Sequence, residues 1–270
     1  MRTKASPKQL ILGLMLAAKG KPVKAAHMVL AGQLFGVSEN HVRVALTRLS
    51  GEGFLRSVSR GVYTLGAKAV PTGDDVKDWT SRLTAPAAWT GQFIAAYTAH
   101  LGRKDRQQVQ LRERALALYG FRPWHAGLYL RPDNLNWGLD GLEARLHDKG
   151  LDPETTLFKM LPRDEAEQHA IQKLWDAKKL ERFYKTHADK MNLWLSNYGK
   201  MPLERAAKEA YLLGSEGIYQ VRHDPLLPAQ WLDTTLRSAF FQCVQQFDQA
   251  GHVIWHTLQQ RILKDETPLY

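Results

Sequence analysis

Cys243 is the only cysteine among 270 residues. No disulfide can form within one chain, which fits a reducing compartment and an expected cytoplasmic location. No apolar run approaches the roughly 20 residues needed to span a bilayer, so no membrane partner is expected. The patterns GxSxG, GxxxxGK[ST] and GxGxxG are missing. Leu213-Gly214-Ser215-Glu216-Gly217 fails the nucleophile-elbow pattern because Leu213 stands where its first glycine belongs. The expectation is therefore a protein that is not an enzyme and carries no cofactor. Acid is scarce at one end only. Residues 1–68 hold 11 Lys and Arg against 2 Asp and Glu, net +9, while the remainder holds 26 against 25. A charge needed for general solubility would be spread along the chain. One concentrated at the amino-terminal end points to a polyanion met there.

The organising stretch is Leu34 to Leu65, LFGVSENHVRVALTRLSGEGFLRSVSRGVYTL. Phe35 closes a helix, and Gly36 makes the turn, because a residue without Cβ takes positive φ readily. Val37 plugs the corner. Ser38 is a good N-cap for the next helix. Val42, Ala45, Leu46 and Leu49 recur at i, i+3, i+4 and i+7 and form one buried stripe. Asn40, Arg43, Val44 and Thr47 then point outward, with His41 and Arg48 at the flanks. Ala31 and Gly32 on one helix and Ala45 on the other permit a close crossing. Phe54-Leu55 starts a strand, the loop Arg56 to Gly61 carries basic residues at its tip, and Val62 to Leu65 returns as the second strand. Turn glycine, cap, stripe and basic hairpin in this order predict a winged helix-turn-helix that binds DNA.

Met1 to Lys24 imitates a signal peptide, with basic residues followed by LILGLMLAA. Ser6-Pro7-x-Gln9, however, supplies a cap, an N1 proline and a capping-box partner. Leu10, Ile11, Leu14, Met15 and Ala18 follow at helical spacing. The expectation is a first helix from Pro7 to Lys19, a second from Val23 to Phe35 and a reading helix from Glu39 to Glu52. Residues 69–86 read as a linker, partly helical around Asp74 to Leu83.

From Ala87 the pattern changes. A strand is expected at Trp89–Ala96 and a helix at Arg103–Tyr119. Two strands follow at Gly120–Trp124 and Gly127–Leu130, then a helix at Leu139–Lys149 and a strand at Thr155–Leu161. The order βαββαβ is ferredoxin-like. Beyond Arg163 helices are expected at Asp164–Trp175, Ala177–Tyr198, Leu203–Val221 and Asp233–Leu263, broken by Pro225 and Pro228. The expected fold is thus α+β and multidomain: a winged helix-turn-helix over 1–68, a linker over 69–86, a ferredoxin-like domain over 87–163 and a helical domain over 164–270.

Three stretches carry a family resemblance. LFGVSENHVRVALTRLSGEGFL resembles the LxGxxxxxVRxALxRLxxxGxL pattern of PaaX-type transcriptional regulators, the repressors of phenylacetate catabolism. Trp175-Asp176, Leu180 and Tyr184 resemble the start of that family's carboxy-terminal domain. Arg222-His223-Asp224-Pro225-Leu226-Leu227-Pro228 is similar to its (R/K)DPxLP signature. The resemblance implies a winged helix, a Cas2-like middle domain and a helical carboxy-terminal domain. It also implies a homodimer on a palindromic promoter site that lets go on binding phenylacetyl-CoA. Two departures stand out. The wing reads Ser59-Arg60-Gly61-Val62-Tyr63 where the family has a longer RxGRRSYY-like run, and Trp231-Leu232-Asp233-Thr234 replaces a Trp-Pro-Gly step.

On the reading helix, Arg43 suits guanine and Asn40 adenine, while Thr47 and Val44 suit a thymine methyl. Lys24, Arg48, Arg56 and Arg60 suit phosphates. Ser38 and His41 complete the expected DNA-binding set. A solvated, helix-stabilising face is the plain alternative for Arg43 and Arg48. For an aromatic effector, Trp124, Tyr129, Arg222 and Trp231 are candidates; Trp137 and Trp194 could also stack, although aromatic residues of this kind more often fill cores. Arg222 and Asp224 read as a clamp beside the prolines, with the carboxylate capping the next helix. His252 and His256 lie at i, i+4 without an accompanying carboxylate or cysteine at a diagnostic interval, so no metal is expected. A Cas2-like nuclease would need an acid near the end of its first strand, and Trp89 to Leu101 contains none. The expected function is a repressor of an aromatic-compound operon, with double-stranded promoter DNA and a small effector such as an aryl-acyl-CoA as partners. The competing readings are an architectural DNA-binding protein without effector and a metal-dependent nuclease.

Overall fold

A computed structural model of the chain describes residues 6–18, 20–69, 79, 82 and 86–265. The chain forms two compact units. The first comprises Met1–Ser81, Lys190–Ile218 and Cys243–Tyr270; the second comprises Arg82–Asp189 and Tyr219–Gln242.

The first unit opens with α1 (Pro7–Ala17), β1 (Val23–Lys24), α2 (Ala25–Leu34), α3 (Glu39–Gly51), β2 (Leu55–Ser59) and β3 (Val62–Leu65). The Ser6–Gln9 capping box forms at the start of α1, with Gln9 N–H donating to Ser6 Oγ at 3.3 Å and Ser6 N–H to Gln9 Oε1 at 3.4 Å. The helix expected to start at Val23 starts at Ala25. Val23 and Lys24 instead pair antiparallel with Tyr63 and Val62, giving a three-stranded sheet in the order β1-β3-β2. Gly36 has φ +72° at the turn between α2 and α3. Gly32 permits the close crossing, since a Cβ there would lie 2.5 Å from Val42 Cγ2. Ile11, Met15, Met28, Val42, Leu46, Leu49 and Leu55 fill the core, with Val37 and Ala45 packed against it. The basic loop expected over Arg56 to Gly61 is shorter. Strand β2 carries through Ser59 with a bulge between Ser57 and Ser59, so only Arg60 and Gly61 turn.

The long carboxy-terminal helices α7 (Ala177–Asn197), α8 (Leu203–Arg222) and α9 (Thr234–Asp265) each give residues to both units. Within the first unit Tyr211 of α8 packs on the winged segment. Its hydroxyl donates to the Gln9 carbonyl at 3.3 Å, its ring meets Phe35 edge-on at 5.2 Å, and a Cβ on Gly13 would lie 2.6 Å from its oxygen. Trp194, Tyr198 and Phe247 stack further along, and Cys243 is buried with its thiol 3.3 Å from Asn192 Oδ1. Burial pushes the Cys243 thiol pKa up.

The second unit holds β4 (Phe93–Tyr97), α4 (Arg106–Leu118), β5 (Arg122–His125), β6 (Leu128–Pro132), α5 (Gly138–Asp148), β7 (Thr156–Met160) and α6 (Glu165–Gln172). The expected βαββαβ order is present, with strands in the order β5-β6-β4-β7 and every neighbour antiparallel. The first strand begins at Phe93 rather than Trp89, because Trp89 turns its indole N–H onto the Gln92 carbonyl at 2.6 Å. The helix expected around Asp74 to Leu83 falls largely outside the described residues.

The Asp224-Pro225-Leu226-Leu227-Pro228 segment is buried in this unit. Asp224 is fully buried and accepts from Tyr184 Oη at 2.5 Å and from Leu226 N–H at 2.8 Å. The carboxylate expected to cap the next helix therefore does not. Asp233 does so instead, accepting from Thr235 N–H at 2.8 Å. Burial raises the Asp224 pKa despite the two hydrogen bonds. Leu226 sits at φ +52°, its carbonyl held by Asn134 Nδ2 at 2.7 Å, and Arg237 holds the Leu227 carbonyl at 2.8 Å. Buried Arg131 donates to the carbonyls of Tyr119 and Pro132 and to Asn134 Oδ1. Desolvation draws its pKa down to about 9.

Candidate nucleic-acid interface

The face of α3 opposite its buried stripe is open. Ser38, Asn40, His41, Arg43, Thr47 and Arg48 are exposed, and Val44 is 59% exposed. Ser38 and His41 serve the helix start: Ser38 Oγ accepts from His41 N–H at 3.4 Å and lies 2.9 Å from His41 Nδ1. Thr47 Oγ1 donates back to the Arg43 carbonyl at 3.1 Å, which leaves its methyl for a partner. Asn40 has no such commitment among the described residues.

The arginines of α3 are paired. Arg43 Nε donates to Glu39 Oε1 at 2.7 Å, and Nη2 lies 2.6 Å from the same oxygen. Arg48 Nε donates to Glu52 Oε1 at 2.7 Å, and Lys8 Nζ reaches Glu52 Oε2 at 3.2 Å. Arg48, then Lys8, hold the Glu52 carboxyl below the usual carboxylate range. These are exposed pairs, each contributing little to stability and easily exchanged for another anion. Lys24, Arg56 and Arg60 are exposed and make no ion pair among the described residues. Arg56, opposite Thr64, and Arg60, at the turn, lie on the wing, and Lys24 lies on β1 opposite Val62.

Glu39 and Lys8 were not among the sequence candidates. The signal for Glu39 was present in the i, i+4 spacing of an acid amino-terminal to a base. Lys8 met Glu52 through the fold, 44 residues away.

Trp124, Tyr129, Arg222 and Trp231 all belong to the second unit but do not line one pocket. Tyr129 opposes Ala96 and so shares its face of the sheet, whereas Phe93 points to the other. On the Tyr129 side, a small cleft of about 110 Å³ is lined by Thr98, Arg103, Val109, Arg112, Glu113 and Tyr129. On the Phe93 side, Trp231 packs with Trp89, Phe93 and Trp175 at 4.8, 6.1 and 5.6 Å in an aromatic core. Trp124 lies against His125, and Arg222 ends α8. Trp137 takes Arg145 over its ring at 4.5 Å, and Trp194 is buried. His252 Nδ1 lies 2.7 Å from the Asp248 carbonyl, and His256 is exposed. Among the described residues no group of three or more His, Cys, Asp or Glu could hold a metal ion, and no helix is long and apolar enough to cross a membrane.

Comparison with known proteins bears on this interface directly. Residues 6–69 match the family described as PaaX-like protein, a span that takes in α1 to β3 and stops short of Trp175-Asp176 and Arg222–Pro228. No curated protein matches the chain. Among solved structures, the uncharacterized protein Rv0674 from Mycobacterium tuberculosis shares the fold with a TM-score of 0.62 and 20% identity, covering 94% of this chain and 99% of that one. The segment that builds the exposed face of α3 and the basic wing, residues 6–69, is thus the part of the chain that is similar to the PaaX-like protein family.

Proposed function

We propose that the protein is a transcriptional regulator that grips double-stranded promoter DNA through residues 1–68. The carrying observation is the exposed face of α3 beside Lys24 of β1 and the wing cations Arg56 and Arg60, which make no ion pair among the described residues. Reading helices of this class enter the major groove with their amino-terminal residues against base edges. Asn40, Arg43, Val44 and Thr47 supply the matching chemistry: an amide for adenine, a guanidinium for guanine and methyls for thymine. Lys24, Arg48, Arg56 and Arg60 position the duplex through its phosphates, and Ser38 and His41 set the helix start that brings them there.

The protein acts as a homodimer and a repressor of an aromatic-compound operon, with residues 87–163 and 164–270 carrying the effector response. These points rest on the resemblance to the phenylacetate repressors. Two reading helices in successive major grooves require half-sites about 10–10.5 bp apart or a multiple of that. An aryl-acyl-CoA that prefers an arrangement with mismatched reading helices would draw the population off DNA without touching the base-reading surface.

Selection of bound fragments from the source genome, repeated with a panel of acyl-CoAs and free aromatic acids, tests this reading. The expected result is a palindromic promoter site whose occupancy falls with one acyl-CoA. A protein that selects no sequence at low ionic strength would overturn it.

A further inference from the structure

An acid at the amino-terminal end of a DNA-reading helix costs affinity, because it faces phosphates across a surface otherwise selected for positive charge. Glu39 sits there, half-exposed at 52% of its side chain, in the first turn of α3. Its contacts with Arg43 are one-sided. Both Nε and Nη2 of Arg43 approach the same oxygen, Oε1, at 2.7 and 2.6 Å. A guanidinium carries five N–H donors in a fixed plane. Engaging Nε and one hydrogen of Nη2 spends the side edge of that plane. The end edge, formed by Nη1 and the other hydrogen of Nη2, meets no partner among the described residues, and it is a two-pronged fork of the spacing that matches guanine O6 and N7. Glu39 Oε2 also has no partner among the described residues, an acceptor suited to an exocyclic amino group.

We infer that Glu39 is a specificity-determining residue: it holds Arg43 end-on to a guanine and itself accepts from the N4 amino group of a cytosine beside that guanine. The inference rests on the DNA-binding reading above and deepens it. Pairing the arginine in advance removes rotamer freedom that binding would otherwise have to freeze. The carboxylate also works against wrong sequences. Where no cytosine amino group faces it, it is left desolvated against acceptor atoms, which lowers affinity for mismatched and random duplex. Glu39 additionally favours the helix start through the backbone dipole, but that contribution is the same on every DNA sequence.

The test is binding-site selection from a random duplex pool by the full chain and by Glu39→Ala and Glu39→Gln, followed by titration of single-base variants of the selected site. Circular dichroism melting checks that each variant is folded. Wild-type protein is expected to select a guanine with a neighbouring cytosine. Glu39→Ala should lose roughly five- to tenfold of the discrimination at the cytosine position and bind random duplex more tightly than wild type. Glu39→Gln should move the preferred base there toward adenine, whose N6 and N7 suit a carboxamide. A helix-stabilising role alone would shift the melting temperature and leave the base preference as it was. If wild type selects a defined site and both variants select the same one, this inference fails and the DNA-binding function stands. If wild type selects nothing, both fail.

Discussion

Replacing Arg56 and Arg60 together by alanine isolates the wing's contribution. Both side chains are exposed on β2 and its turn and pair with no acid among the described residues, so the fold should hold within about 0.5 kcal/mol. Each phosphate neutralised by a cation contributes about 0.9 to the slope of log K against log salt. Two lost contacts therefore flatten the slope by about 1.8 for each protomer bound. Over a fourfold rise in salt, from about 50 to about 200 mM, the affinity gap between wild type and variant should narrow by about twelvefold for one protomer, and by the square of that for two. Fluorescence anisotropy of a labelled duplex, titrated across a sodium chloride series, measures both lines. The loss should be nearly equal on selected and random sequence, because phosphates carry no sequence information. Parallel lines for wild type and variant would refute the placement of the wing on the DNA backbone.

Arg43→Ala should behave oppositely, costing about 1–3 kcal/mol on the selected site and much less on random duplex in the same titration. Asp224→Ala strands the Tyr184 hydroxyl and the Leu226 N–H in a fully buried setting. At about 1–3 kcal/mol for each stranded donor, urea unfolding should show a loss of about 2–6 kcal/mol, and a loss below about 1 kcal/mol would contradict the role assigned to this carboxylate. Asp152 is held below its ordinary pKa chiefly by its hydrogen bond from Arg112, whose Nε lies 2.6 Å from Oδ2. A lowered folded pKa stabilises above the unfolded value and is lost as pH falls through the folded one. Urea midpoints of wild type and Asp152→Asn should accordingly differ at neutral pH and converge below the ordinary carboxylate range.

What the sequence revealed was what is local. Ser6 with Gln9, Ser38 as N-cap of α3, and the Val42, Leu46 and Leu49 stripe are each settled within one or two helical turns, and they appear as expected. The βαββαβ order also survives. Two residues of strand at Val23-Lys24 left no pattern, because their pairing depends on Tyr63 and Val62 some forty positions on. Trp89 read as strand for its aromatic character, yet its indole bonds to the backbone three residues away and the ladder starts at Phe93. Asp224 looked like a helix cap from its neighbours in sequence, while its partner Tyr184 lies 40 positions earlier. At the interface, periodicity predicted which side chains of α3 are exposed. It did not reveal which of them are already occupied, as Arg43 is by Glu39.

Tyr211 has a consequence for how such proteins can be cut and recombined. The family-matched span ends at residue 69, but the Phe35 ring and the Gln9 carbonyl that Tyr211 meets belong to that span while Tyr211 itself does not. A fragment stopping at 69 would leave Phe35 bare beside the helix-turn-helix corner and Gly13 facing an empty notch. The family-matched span is thus not freely transplantable. A chimera that gives it a new sensor must bring along the turn of α8 that carries Tyr211, or rebuild that notch with a side chain of its own.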